Sequence, residues 1–305
     1  MLPDPVRRVL ANYAGERPGI LANLARILMH GATGGSGKLV ILPVDQGFEH
    51  GPARSFAANA AAYDPRYHFD LAIAAGVSAY AAPLGALIAA AGHFAGEVPL
   101  ILKANSANAL STVKDEAITA TVRDALELGC VAIGYTIYPG SDRQYEMFEE
   151  VRAAVSEARG VGLPVVIWAY PRGGMLDEQG ETALDVVAYG AHIAAQLGAH
   201  IIKVKIPSAH IAMANSQSAY SGRDFESPAA RIAHVMQSAF DGRRLVVFSG
   251  GSLKGEDEVR RDVLAVIAGG GSGSIIGRNS FQRPRAEAVE MLAQVAALYA
   301  SGEDP

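Results

Sequence analysis

Eight short apolar segments with helical stretches between them predict an α/β chain whose strands close into a (β/α)8 barrel. Three observations carry that prediction. Several of the segments are continuous apolar runs, the pattern of parallel strands covered on both faces. The intervening stretches repeat apolar residues every three or four positions, as helices burying one face do. A length of 305 residues falls in the range where such a barrel is one domain. An open, doubly wound sheet with extra strands is the structural rival.

The strands are expected at 39–44 (LVILPV), 77–82, 98–105, 131–138, 163–170, 199–205 (AHIIKVK), 244–250 and 271–278. Between them, Met147, Val151, Val155 and Ala158 mark one buried helix face. Val259, Val263 and Val266 mark another, and Val289, Leu292, Val295 and Tyr299 a third. Residues 1–38 precede the first strand and read as an N-terminal arm, helical over 5–30, with a connector, so that 1–305 forms a single barrel domain. The loop 47–64 is long for a strand-to-helix connection and reads either as a functional flap or as a surface excursion.

Half the residues are apolar and 19% are charged, which excludes a disordered chain and fits a large buried fraction or a homo-oligomer with well-covered surfaces. The net charge of -5, without any basic run, argues against a nucleic-acid partner. A single cysteine, Cys130, allows no intrachain disulfide, and the opening MLPDPVRR lacks the apolar stretch of a signal peptide. A cytoplasmic protein is the expectation. Residues 71–96 carry no Asp, Glu, Lys or Arg and are long enough to span a membrane. Gly76, Pro83 and Gly85 divide them, however, so a buried helix, strand, helix passage is expected and no membrane association.

Two apparent motifs mislead. GATGGSGK at 31–38 resembles a phosphate-binding nucleotide loop, but Leu39 stands where Ser or Thr is needed and the segment enters a strand instead of leaving one. It reads as a flexible connector. The eight histidines form no metal motif, and no Gly-x-Ser-x-Gly nucleophile elbow occurs. No metal and no cofactor are expected.

In a parallel barrel the C-terminal strand ends share one mouth, where chemistry gathers. The polar residues expected there are Asp45, Lys103, Tyr135, Trp168, Tyr170, Arg172, Lys203, Lys205, Ser249 and Arg278. Only six lysines occur in the chain, and Lys203 and Lys205 lie two apart on one strand face. Strand lysines are usually edge or snorkelling residues, but a closed barrel has no edge. If both point inward, repulsion and desolvation favour a neutral amine, which can attack a carbonyl and form a Schiff base. Tyr170 could relay protons beside a cation such as a lysine or Arg172. Asp45 could orient a hydroxyl or merely cap the DQG turn. The SGG at 249–251 and GRN at 277–279 follow the last two strands, where barrels often bind phosphate, although a Gly-Gly pair is also an ordinary tight turn.

The segments LPVDQGFEHGP (42–52), WAYPRG (168–173), GAHIIKVK (198–205), FSGG (248–251) and GRNSFQRP (277–284) together resemble the archaeal-type class I fructose-bisphosphate aldolases, also found in bacteria. That resemblance runs from Leu39 to Tyr299. It implies a Schiff base on Lys203, proton transfer by Tyr170, and Asp45 as the first-strand aspartate. It implies a pocket lined by Trp168 and Arg172, with phosphate held at Ser249, Gly250, Gly251, Gly277 and Arg278; Lys205 and Lys103 are expected in the same pocket from their places at the strand ends. The implied substrate is a phosphorylated sugar, cleaved without a metal. Where the family often carries a hydroxyl residue after its lysine, this chain has Val204 and then Lys205, whose role is left open. A related imine-forming aldolase or transaldolase, and a non-catalytic sugar-phosphate binding barrel, are the alternatives.

Overall fold

The computed structural model describes residues 1–250 and 254–301. Eight parallel strands close into a barrel: β1 (Leu39–Pro43), β2 (Ala79–Pro83), β3 (Leu100–Lys103), β4 (Ala132–Ile137), β5 (Val165–Ala169), β6 (Ile201–Lys205), β7 (Leu245–Ser249) and β8 (Gly273–Ile275). Each pairs with its neighbours in sequence, and β8 pairs back onto β1. Every expected apolar segment holds one barrel strand, shorter than expected, and only β2 runs past its segment, by one residue, to Pro83. Closure at the β1–β8 seam requires Gly273, whose φ is +146° and at which a Cβ would stand 1.9 Å from the Leu39 carbonyl oxygen.

The period-2 alternation of each strand sorts its side chains into two cores. Leu39, Ile41, Ala81, Ile101, Val166, Trp168, Ile201 and Val247 fill the barrel interior. Val40, Leu42, Tyr80, Ile133, Tyr135, Ile202, Val204 and Phe248 pack outward against the helices. Tyr135 is therefore corrected: it is buried between sheet and helices, not at the mouth.

The N-terminal arm consists of α1 (Asp4–Ala11) and α2 (Pro18–Met29). Val6, Tyr13, Ile20, Leu24, Ile27 and Leu28 join the barrel-interior cluster, so the arm closes the end of the barrel opposite the strand C-termini. The Tyr13 hydroxyl donates to the His200 carbonyl at 2.6 Å and accepts from the Leu245 N–H at 2.8 Å. These bonds satisfy backbone groups at the starts of β6 and β7 that would otherwise be buried without partners. Glu16 anchors the arm further through Arg159 at 2.9 Å.

The connector 31–38 is more firmly held than its glycines suggest. Ala32 N donates to Gly76 O at 2.7 Å, Gly35 N to Leu28 O at 2.9 Å, and Lys38 Nζ to Gly271 O at 2.7 Å. Thr33 is buried and its hydroxyl lies 2.9 Å from that of Ser78. Flexibility is thus not what the glycines serve. Residues 71–96 hold the end of a helix, strand β2 and the helix Leu84–Ala90, and no helix of the described residues is long and apolar enough to cross a membrane.

The 47–64 segment is not an irregular loop. It contains most of α3 (Gln46–His50), the helix Pro52–Phe56 and a 3-10 turn at Ala60–Tyr63. Asn59 Nδ2 donates to Phe281 O at 2.9 Å and Gln282 Nε2 to Ser55 O at 2.9 Å, tying the segment to the loop after β8. These ties hold Glu49 and His50 over the mouth.

Buried histidines make this fold sensitive to acid. His200 Nδ1 accepts the Val165 N–H at 3.0 Å, which requires a free lone pair on that nitrogen, and burial lowers its pKa to about 4. Burial likewise lowers His68 to about 4. Above pH ~6.5 both are neutral folded and unfolded, so they contribute no pH dependence; below it the unfolded chain alone takes up the protons. Stability should therefore fall by a few kcal/mol, roughly, as pH drops from ~6.5 to ~4. Urea unfolding across that range measures it, and His200→Gln should flatten the fall.

Candidate active site

The C-terminal strand ends open into a cavity of about 360 Å3. Of the residues expected to form a site, Asp45, Tyr170, Arg172, Lys203, Lys205, Ser249, Gly250, Gly277 and Arg278 line it. Trp168 and Lys103 do not border it; they lie beside it in the wall. Gly251 lies outside the described residues.

Alternation puts Ile201, Lys203 and Lys205 on the inward face of β6 and Ile202 and Val204 on the outward one. The two lysines share a face but not surroundings. Lys203 is 4% exposed and pairs in register with Trp168 on β5 and Val247 on β7. Its Nζ stands 5.5 Å from the Trp168 ring centroid and 5.2 Å from that of Tyr170. Among the described residues no carboxylate pairs with it. Lys205, nearer the mouth, is paired with Glu181 at 3.3 Å. That carboxylate balances a charge that would otherwise repel Lys203.

Trp168 needs unusual room. A Cβ at Gly134, on the inward face of β4, would lie 2.2 Å from the indole, so the ring rests where a side chain is missing. Lys103, in register with Gly134, places its Nζ 5.8 Å from the same ring centroid, so the indole lies within cation–π range of two ammonium groups. Lys103 is committed elsewhere: it donates to the backbone oxygen and, at 2.9 Å, to Oδ1 of Asn105, and stands 3.6 Å from Glu116.

Asp45 occupies the N-cap position of α3, yet its side chain makes no capping bond. Its carboxylate is therefore available to the cavity it lines. Arg172 lies 3.4 Å from Glu49 and stacks over Tyr138 and Tyr170, with its guanidinium carbon 4.6 and 5.7 Å from the ring centroids. Burial opposes its charge, but Tyr138, Glu49, Glu181 and Tyr170 outweigh that and hold its pKa above the usual value. Ser249 donates to the Val204 carbonyl at 3.3 Å, and Arg278 opens the short helix Arg278–Phe281. Among the described residues no group of three or more His, Cys, Asp or Glu is placed to hold a metal ion.

The residues missed in the sequence are Glu49, Glu116, Tyr138, Glu181 and Gly134. The acids sit in segments without periodicity, so no pattern aims them at the site. Gly134 was findable: a glycine inside an apolar strand signals close approach of another group.

The geometry has close counterparts among known proteins. Residues 39–283 match the family described as DeoC/LacD family aldolase. A Chlamydia muridarum protein named probable fructose-bisphosphate aldolase class 1 is 34% identical, over 97% of this chain and 88% of its own. The fructose-bisphosphate aldolase class 1 of Thermoproteus tenax is 38% identical over 81% of this chain and 84% of its own. An archaeal fructose-1,6-bisphosphate aldolase, solved with its catalytic lysine covalently bound to the carbinolamine intermediate of its substrate, superposes with a TM-score of 0.74 at 31% identity. The match covers 97% of this chain and 100% of that one.

The Gly134 contact can be tested directly, because Trp168 is the only tryptophan. Gly134→Ala should displace the indole, shift its fluorescence emission and cost about 1–3 kcal/mol in denaturant unfolding. Unchanged emission would show that the wall yields instead.

Proposed function

The chain belongs to the DeoC/LacD family of aldolases, and we propose that it is a class I fructose-bisphosphate aldolase whose Schiff base forms on Lys203. The observation that carries the assignment to Lys203 is its setting: a lysine on the inward face of β6, bordering the cavity beside Tyr170, with no paired carboxylate among the described residues.

In the cleavage direction the unprotonated amine attacks the C2 ketone of fructose 1,6-bisphosphate, and a proton passes from its nitrogen to the C2 oxygen, giving a carbinolamine. Tyr170 gives its proton to the C2 hydroxyl, which leaves as water, and an iminium ion remains. The C3–C4 bond then breaks: its electrons pass into the enamine, Tyr170 takes the C4 hydroxyl proton, and glyceraldehyde 3-phosphate departs. Asp45 orients the substrate hydroxyls. Tyr170 protonates C3 of the enamine, and water hydrolyses the resulting iminium to dihydroxyacetone phosphate. Tyr170 carries negative charge twice in this cycle, which Arg172, 5.7 Å from its ring, and the iminium on Lys203 stabilise.

Ser249, Gly250, Gly251, Gly277 and Arg278 are assigned to one substrate phosphate, because backbone N–H groups and a guanidinium suit an anion. Lys205, in register with Ser249 on the neighbouring strand, and Arg172 line the same cavity. Specificity for the released aldehyde is assigned to the helices of the 47–64 segment, which place Glu49, His50 and Arg54 along its rim.

Borohydride reduction in the presence of fructose 1,6-bisphosphate, followed by peptide mass mapping, should place one covalent adduct on Lys203. An adduct on Lys205 or Lys103 would keep the reaction and move the nucleophile; no adduct during turnover would sink the imine mechanism. Lys203→Met should abolish cleavage, and Tyr170→Phe should lower kcat by about 10²–10⁴-fold. Cleavage rates on fructose 1,6-bisphosphate, fructose 1-phosphate and deoxyribose 5-phosphate separate this substrate from those of related aldolases.

A further inference from the structure

Glu116 takes no part in the steps above, yet it is an acid only 6% exposed beside the cavity. A ribbon after β3 puts it there. Asn105–Ser106 pairs antiparallel with Ala117–Ile118, so Glu116 immediately precedes a paired residue. Asn105 clamps the ribbon to β4 by accepting from Thr136 N at 2.7 Å and donating to Thr136 O at 2.8 Å.

Beside the main cavity lies a recess of about 10 Å3, lined in part by Asp45, Glu49, Lys103, Glu116, Tyr138 and Tyr170. That is about the space one water needs, and its walls offer polar groups on several sides. Tyr138 and Glu116 border the same recess, and the two groups act on each other's charge. The buried Oε2 atom accepts no hydrogen bond from the protein; Lys103 Nζ, 3.6 Å away, pairs with it by charge from beyond hydrogen-bond reach, which leaves a place for one further donor.

We propose that Glu116 is a positioning residue that binds a water in this recess and, through it, exchanges protons with Tyr170. The inference rests on the aldolase reading, in which Tyr170 must lose and regain a proton within each turnover. Once the phenol has protonated C3 of the enamine, its oxygen takes a proton from the water while the water takes one from the Glu116 carboxyl, and the proton released when water attacks the iminium returns by the same route. Before C3–C4 cleavage Tyr170 stays ionised and takes the C4 proton itself. One O–H bond breaks at Glu116, one forms at Tyr170, and the water is regenerated; the reverse transfer recharges Glu116.

Electrostatics favour a carboxyl that can hold a proton. Burial raises the pKa of Glu116; Lys103, 3.6 Å away, and Tyr138 draw it down, while Glu49 and Asp45 add to the rise. Burial outweighs the ion pair, and the net direction is upward. Arg172, stacked on Tyr138 and paired with Glu49, completes the charged surroundings. A glutamic acid is a stronger acid than a phenol, so transfer to a Tyr170 phenolate runs downhill.

The test compares wild type, Glu116→Gln and Glu116→Asp in steady-state cleavage of fructose 1,6-bisphosphate across pH, with borohydride trapping alongside. Glutamine preserves shape and hydrogen bonding but cannot exchange the proton. The expected result is a kcat lowered about tenfold with KM within about twofold, loss of the alkaline fall in kcat, and an undiminished adduct on Lys203. Glu116→Asp should restore a titrating limb. Wild-type kcat and pH profile in Glu116→Gln would overturn the relay and leave the aldolase reading standing. A loss shared equally by both variants, with a lowered melting temperature, would also overturn it by showing a structural role. If Glu116→Gln does not fold, the limb in Glu116→Asp decides: displaced supports the relay, unmoved overturns it. Absence of any adduct in wild type would overturn the aldolase reading and the relay together.

Discussion

The contact between the Trp168 indole and the bare backbone of Gly134 is the one on which the site depends. A closed parallel barrel fills its own interior with side chains, and a large ring near the C-terminal end has no place unless a neighbouring strand yields volume. With that volume given, the indole becomes a rigid wall between Lys103 and Lys203. It presents a π face to each ammonium group without supplying a charge. The polar mouth is thereby separated from the apolar interior by one side chain.

Three lysines around this wall differ by their acids. Lys103 is held by Glu116 and Asn105 at 3% exposure, and Lys205 by Glu181 nearer solvent. Lys203 has two aromatic rings near its ammonium group and no carboxylate partner among the described residues. Removing a carboxylate partner from a buried amine costs stability in the charged form, so a structure selected for stability alone would pair it. Distributing two acids to the flanking lysines and none to the central one distinguishes a nucleophile from two residues of identical chemistry. Geometry inside a common cavity, not residue type, separates their roles.

The opposite end of the barrel shows the complementary arrangement. There α1 and α2 bury apolar side chains against the strand starts, and Tyr13 satisfies two backbone groups at once. The histidine beneath, His200, is kept neutral by burial. Nothing at that end borders the main cavity, in keeping with barrels that devote one rim to stability and the other to chemistry.

The sequence by itself determined the eight strands, the helices between them and the shared face of Lys203 and Lys205, because hydrophobic periodicity and side-chain alternation are local properties of the chain. It also supplied the motif order that points to the aldolases. Phase was not local: Tyr135 and Gly134 are adjacent in sequence, and only closure of the barrel decides that the glycine faces in and the tyrosine out. The firmness of residues 31–38 was equally hidden, since glycine content describes what a backbone can do while bonds to Gly76 and Gly271 fix what it does. The acids Glu116 and Glu181 come from aperiodic segments outside the barrel strands. Tertiary structure alone brought them to Lys103 and Lys205, because charge pairing depends on distances of a few ångströms between groups that the chain separates by many residues.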